Sequence, residues 1–235
     1  MATVESTVSG ARANQRALRE AIKRLIVERG LTAGAPLPTE RELIDELGVS
    51  RHPLREAMKA LEALGIVDIR HGHGTFVGSA SLSGLEAGLT FHSALSVRGD
   101  LTDVRDLLEV RQVLETGLVP RVIESYEDVD VDGLREAVEA MEAAAADGRF
   151  DPDADWRFHE TLYRPLGNKL VLDLLRVFWR VFRSLDAKLP RADSTPEANA
   201  RWHRAILDAL TRRDAAALTA AISEHFRGIR ARVSG

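Results

Sequence analysis

A chain of 235 residues, 45% hydrophobic and 29% charged, is long enough for two modest domains with buried cores. It has no cysteine, which excludes disulfides and thiolate metal sites and agrees with a cytoplasmic protein. The start, MATVESTVSGARANQ, has no apolar signal core, and no apolar run approaches the ~18 residues of a membrane span, so no membrane partner is expected. The net charge of −4 is unevenly spread: residues 1–78 hold 11 Lys+Arg against 10 Asp+Glu, and the remainder 21 against 26. Phosphate contact depends on local arrangement rather than on that total.

Residues 1–13 are rich in Ser, Thr, Ala and Gly and read as a disordered tail. A helix over residues 14–29 follows, with Leu18, Ile22, Leu25 and Ile26 inward and Gly30 as its stop. After a loop over 31–37, Thr39 and Glu42 form a capping box that opens a short helix, apolar at Leu43, Ile44 and Leu47. Gly48-Val49 makes a turn, and Ser50 caps a second helix that carries Pro53 in its first turn. One face of this helix holds Leu54, Ala57, Met58, Leu61 and Leu64. Arg51, Arg55 and Lys59 make a cationic stripe at i, i+4 and i+8. An apolar and a cationic stripe behind a glycine turn suit the recognition helix of a helix-turn-helix, although a solvated basic face reads the same way on this helix alone. Gly65 ends the helix. Residues 66–70 and 75–77 read as two strands joined by the turn His71-Gly72-His73-Gly74, a β-hairpin wing.

The phrases LPTEREL, GVSRHPLREA and GHGTFV, in this order and spacing, resemble the winged helix-turn-helix of the GntR family of bacterial transcription regulators. The resemblance implies binding of double-stranded operator DNA through Thr39, Arg41, Ser50, Arg51, His52, Arg55, His71 and Gly72. Arg51 and Arg55 are the candidates for guanine contacts, and His52 stands where the family often carries threonine.

The DNA-binding domain is thus expected over residues 14–78, a small-residue linker over 79–84 and a second domain over 85–235. Everything past the wing reads helical. The spacing predicts helices over 85–97, from Thr102 as a cap and bent at Pro120, over 131–147, and from Asp151-Pro152 through Tyr163. A long one follows Asn168, apolar at Leu170, Leu174 and Val177, and two more open at Thr195-Pro196 and Asp214. The fold class is therefore mainly α: a winged helix-turn-helix followed by an all-α bundle of six or seven helices.

Asp155 and His159, at i and i+4, share one helix face, while His203 and His225 lie on inward faces of two later helices. Each histidine alone fits a hydrogen-bonded core residue. Together with Asp155 they fit a divalent ion, Zn²⁺ or Ni²⁺ by donor type, with Mn²⁺ a further alternative. Arg111 and Glu115 as R-x-x-x-E, DWRFHETLYRPLGN, W-H-R-A-I and His225 make this half similar to the helical effector domain, FCD, of the FadR subfamily of GntR regulators. Where that family binds a metal, the resemblance implies Asp155, His159, His203 and His225 as ligands. Arg111, a cation on a mostly apolar helix, is with Glu115 and Asn168 a candidate effector contact, and an ion pair of Arg111 with Glu115 reads equally well. The function so implied is a homodimeric repressor released by a small organic acid that completes the metal shell. A hydrolase using the same ion, and a regulator whose ion is purely structural, are the alternatives.

Overall fold

The computed structural model describes residues 2–79, 81–189 and 195–233, with side chains described from Asn14 onward. The chain divides into two compact units, Met1–Leu85 and Glu86–Gly235.

In the first unit, α1 (Ala2–Glu28), α2 (Glu40–Leu47) and α3 (Arg51–Ala63) precede a hairpin of β1 (Val67–Arg70) and β2 (Gly74–Val77). The backbone of α1 reaches back to Ala2 instead of starting at Asn14. Residues 1–13 contain no proline and a single glycine, so nothing in the sequence stops the helix there. Their side chains lie outside the described residues. Leu18, Ile22, Leu25 and Ile26 of α1 pack with Leu43, Leu54, Ala57, Met58, Leu61 and Val67 in one core. The box at α2 is closed both ways, Glu42 N donating to Thr39 Oγ1 at 3.3 Å and Thr39 N to Glu42 Oε2 at 2.8 Å. Gly48 ends the helix at φ 64°, in the left-handed region.

Two local readings change. Ser50 is the N-cap of α3 by backbone conformation, but its side chain makes no cap hydrogen bond. Leu64 is 56% exposed, because the helix stops at Ala63 and Leu64 turns away as the C-cap. The hairpin is antiparallel, pairing Val67 with Val77 and Arg70 with Gly74. The stretch expected to be a plain loop lies along the other edge of β2. Leu37 N donates to Thr75 O at 2.8 Å and Val77 N to Ala35 O at 2.8 Å. That pairing covers an edge that would otherwise be open. At the base of the wing a Cβ on Gly78 would stand 2.1 Å from Gly65 O, so only glycine lets the two backbone segments meet.

The second unit is all helical among the described residues: α4 (Ser83–Ser96, beginning just before the boundary), α5 (Thr102–Gly117), α6 (Val119–Glu124), α7 (Val131–Ala146), α8 (Pro152–Tyr163), α9 (Lys169–Leu185), α10 (Pro196–Thr211), α11 (Ala215–His225) and α12 (Arg227–Val233). These nine helices exceed the expected six or seven for two reasons. Pro120 lacks the N–H that would bond back into α5, so the chain breaks at Leu118 and restarts as α6. A second break at Phe226, whose ring is buried, separates α11 from α12. Thr102 is the first residue of α5 and not its cap. Leu101 takes that position at φ 60°, and Asp100 Oδ1 accepts from Thr102 N at 3.0 Å.

The inward face of α5 also differs from the apolar count. Val110 and Val113 are exposed, whereas Arg111 and Glu115 are buried beside Val104, Leu107 and Leu108. On α9, Leu170 is exposed and Leu175, not Leu174, is buried. Among the described residues no helix is long and apolar enough to cross a membrane.

Candidate functional site

On the first unit, α3 presents Arg51, Arg55 and Lys59 to solvent. Arg55 Nε donates to both carboxylate oxygens of Glu40, each at 3.1 Å, and Arg51 Nε lies 2.9 Å from Glu40 Oε1. One carboxylate at the start of α2 therefore holds two guanidiniums of α3. Sequence reading missed Glu40, because the contact joins two helices. Arg41 and His52 are exposed, as are His71 and Gly72 at the wing tip, where Gly72 has φ 79°. Thr39 Oγ1 is engaged with Glu42. Behind the tip, Arg70 lies 4.2 Å over the Phe76 ring and 2.8 Å from Asp68, which stiffens the hairpin.

In the second unit the structure brings Asp155 and His159 (α8), His203 (α10) and His225 (α11) together. Each offers one ligand atom, and these atoms lie within 4.8 Å of one another. Ion–donor bonds of about 2.1 Å would hold donors roughly 3–4 Å apart, so closure needs only small side-chain movements. His203 Nδ1 sits 2.9 Å from Asn199 O, which assigns its proton to that nitrogen and leaves Nε2 as a lone pair. That lone pair is 3.2 Å from Asp155 Oδ1. Two acceptors so close are stable when a positive charge lies between them. His159 Nδ1, His203 Nε2 and His225 Nδ1 are all buried without a hydrogen-bond partner. Buried polar nitrogens are rarely left so. Three in one cluster fit an ion-binding donor set, and all donors are nitrogen or oxygen.

Supporting residues surround the four. Trp179 Nε1 donates to Asp155 Oδ2 at 3.0 Å. Burial opposes the charge of Asp155, but contact with His203 and the neighbouring imidazoles, when these carry a proton, outweighs it and holds its carboxyl well below the usual range. Burial, and then the other two histidines, push His225 well below its ordinary value, so it stays neutral and able to ligate.

Glu115 is fully buried. Its Oε1 accepts from Arg111 Nε at 2.6 Å and its Oε2 from Tyr163 OH at 3.1 Å. His159 Nδ1 is 3.2 Å from Oε2 without hydrogen-bond geometry. Burial works against this carboxylate too, and Arg111 and His159 more than compensate, holding it well below the usual range. Tyr163 is one helical turn past His159, an i+4 signal available in the sequence. Trp179 and Glu40 carried no such signal.

Of the expected effector contacts, Arg111 lines a cavity of about 730 Å³ that also reaches Asp155 and His225. Glu115 lies behind Arg111. Asn168 is not in the lining. It is the N-cap of α9, accepting from Val171 N at 3.3 Å, because an Asn after Gly167 in the left-handed region is well placed to start a helix.

Comparison with known proteins agrees with both units. Residues 14–77 match the family described as bacterial regulatory proteins, gntR family, and residues 106–228 match the FCD domain. The chain is 32% identical over 145 residues to the HTH-type transcriptional regulator LutR of Bacillus subtilis (strain 168), an alignment spanning 62% of this chain and 64% of LutR. It is 28% identical over 229 residues to the Uxu operon transcriptional regulator of Escherichia coli (strain K12), covering 90% and 83% of the two chains. The solved structure of Streptococcus agalactiae GntR superposes with a TM-score of 0.61 at 27% identity, covering 92% of this chain and 99% of that one. These relatives are regulators and not enzymes. The chain belongs to the GntR family, in the FadR-like branch that joins a winged helix-turn-helix to an FCD domain.

Proposed function

We propose that this protein is an operator-binding transcription repressor, active as a homodimer, whose hold on DNA is set by a small carboxylate bound at a divalent ion in the helical unit. The observation that carries the reading is the convergence of one ligand atom from each of Asp155, His159, His203 and His225 within 4.8 Å, in a cluster where each histidine also has a buried nitrogen without a hydrogen-bond partner. Zn²⁺ suits the donor set best. The ion would supply positive charge and open coordination positions to a carboxylate. Asp155, His159, His203 and His225 would hold it, with Trp179 and Asn199 O fixing Asp155 and His203.

On the winged unit, Arg51 and Arg55 read base edges, while Arg41, Ser50 and His52 contact DNA around them. The hydroxyl of Ser50 is spared from capping and so is available to a phosphate. Thr39, His71 and Gly72 meet the backbone or the minor groove. Exposed Phe91, Leu95, Val110 and Val113 on α4 and α5 are surface that a homodimer would cover. A hydrolase is disfavoured by commitment of the carboxylates: Glu115 is taken by Arg111 and Tyr163, and Asp151 by the N-terminus of α8.

The test is operator selection from random DNA with the purified protein, followed by binding of the selected site at fixed salt. Arg51→Ala should lose the distinction between selected and random DNA. His203→Ala should lose the ion, read by elemental analysis, and keep DNA binding while no longer answering carboxylic acids. An unchanged preference in Arg51→Ala, or full metal content in a variant lacking His159, His203 and His225, would refute the corresponding half.

A further inference from the structure

The cavity beside the four ligands has walls of a particular kind. Phe150, Trp179, Phe182, Trp202 and Phe226 line it, so two of the chain's three tryptophans face one space. Its volume of about 730 Å³ falls within the roughly 300–1,000 Å³ of small-molecule sites. Most of the charged groups in the same wall already have a partner. Arg111 is bound to Glu115. Arg183 donates to Asp153 at 2.8 Å and lies 5.0 Å over Trp179. Arg232 donates to the Asp186 carboxylate at 2.5 Å and to its carbonyl at 2.7 Å. Trp179 N–H is spent on Asp155, and Asp151 accepts from Asp153 N and Ala154 N. Asn199 and Trp202 differ: among the described residues the Asn199 side-chain amide meets Met141 Sδ at 4.0 Å, and no hydrogen bond is found for the Trp202 indole N–H.

From this lining we infer that the effector is an aryl or arylalkyl carboxylate with at most one further polar substituent, and not a polyhydroxylated acid. The inference rests on the proposed carboxylate site. A polyhydroxy acid carries donors and acceptors along its whole body, and those buried against the five aromatic rings lose their water without replacement. A flat apolar ring meets no such penalty. It gains area against Trp202, Phe182 and Phe226, and offset or edge-on packing with the two indoles orients it. Asn199 can serve one hydroxyl or carbonyl. The carboxylate end lies toward Asp155, His225 and Arg111, because these are the wall groups that adjoin the ion-binding cluster.

The experiment uses full-length protein loaded with Zn²⁺ and measures calorimetric affinity, with tryptophan fluorescence alongside. The probes are benzoate and phenylacetate on one side and lactate, gluconate and glucuronate on the other. Phenylacetate should bind at least ~10-fold tighter than gluconate, the scale on which pocket chemistry separates ligands. It should also change the fluorescence of the wall tryptophans. Trp202→Ala should weaken phenylacetate ~10-fold with metal content unchanged. Hydroxy acids binding as tightly as the aryl acids, or a Trp202→Ala variant that binds phenylacetate normally, would overturn the inference and leave the carboxylate site standing. Failure of both classes to bind metal-loaded protein would overturn the site and the inference together.

Discussion

Glu40 shows how one residue can act through two others. Surface ion pairs contribute little to stability, about 0–1 kcal/mol, so its two arginine contacts matter less for folding than for where the guanidiniums stand. Both contacts run through Nε, so the terminal amino groups of Arg51 and Arg55 are not used by Glu40. Those groups form the fork that fits guanine. Holding two flexible side chains before DNA arrives removes part of their ordering cost on binding, about 0.5–1.5 kcal/mol for each. Glu40→Ala should therefore weaken the selected operator about 10-fold while random DNA binds as well or better, since a negative charge has left the surface. Equal losses on both DNAs, measured at one salt concentration, would show that Glu40 only shapes the fold.

Glu115 is the buried counterpart. Its native carboxyl titrates below its ordinary value of 4.5, so in acid the unfolded chain takes up that proton first. The stability it contributes is complete above about pH 5 and is lost as pH falls further. His225 is also lowered, from 6.5, and acts in the same sense beginning near neutrality. The metal-free helical unit should thus melt at progressively lower temperature from about pH 6.5 downward. Glu115→Gln leaves Arg111 buried without its anion and should cost about 3–5 kcal/mol in denaturant unfolding.

At the scale of elements, legibility followed locality. The capping box of α2, the glycine stop at Gly48, the hairpin itself and the caps of α8, α10 and α11 are each decided by residues a few positions apart, and each is where the pattern placed it. The inward face of α5 took tertiary information: Arg111 and Glu115 neutralise each other inside the bundle, so two charged residues lie inward while Val110 and Val113 stay exposed. Asn168 has a local capping role, its side chain accepting from Val171 N at the start of α9. Asn168→Ala should cost about 1 kcal/mol of stability and leave the response of operator binding to acids unchanged. A lost response would return Asn168 to the effector site.

The whole molecule joins a self-contained winged core to a bundle whose ligands come from three separate helices. The i, i+4 pair of Asp155 and His159 was readable as one face, but the convergence of α8, α10 and α11 and the hydrogen bonds of Trp179 to Asp155 and Tyr163 to Glu115 exist only after packing. Because the donors are imidazole and carboxylate in a chain without cysteine, the site also has a property unrelated to DNA or metabolite. Oxidants attack metal sites chiefly through thiolates, which pass to sulfenic acids and disulfides and release the ion. Nothing in this donor set follows that path. Metal-loaded protein treated with hydrogen peroxide should keep its ion by elemental analysis and keep its response to acids. Peroxide-driven release of the ion would contradict the assigned donors. With the proposed ion in place, a site of this kind would go on answering its ligand under oxidant concentrations that strip metal from thiolate sites.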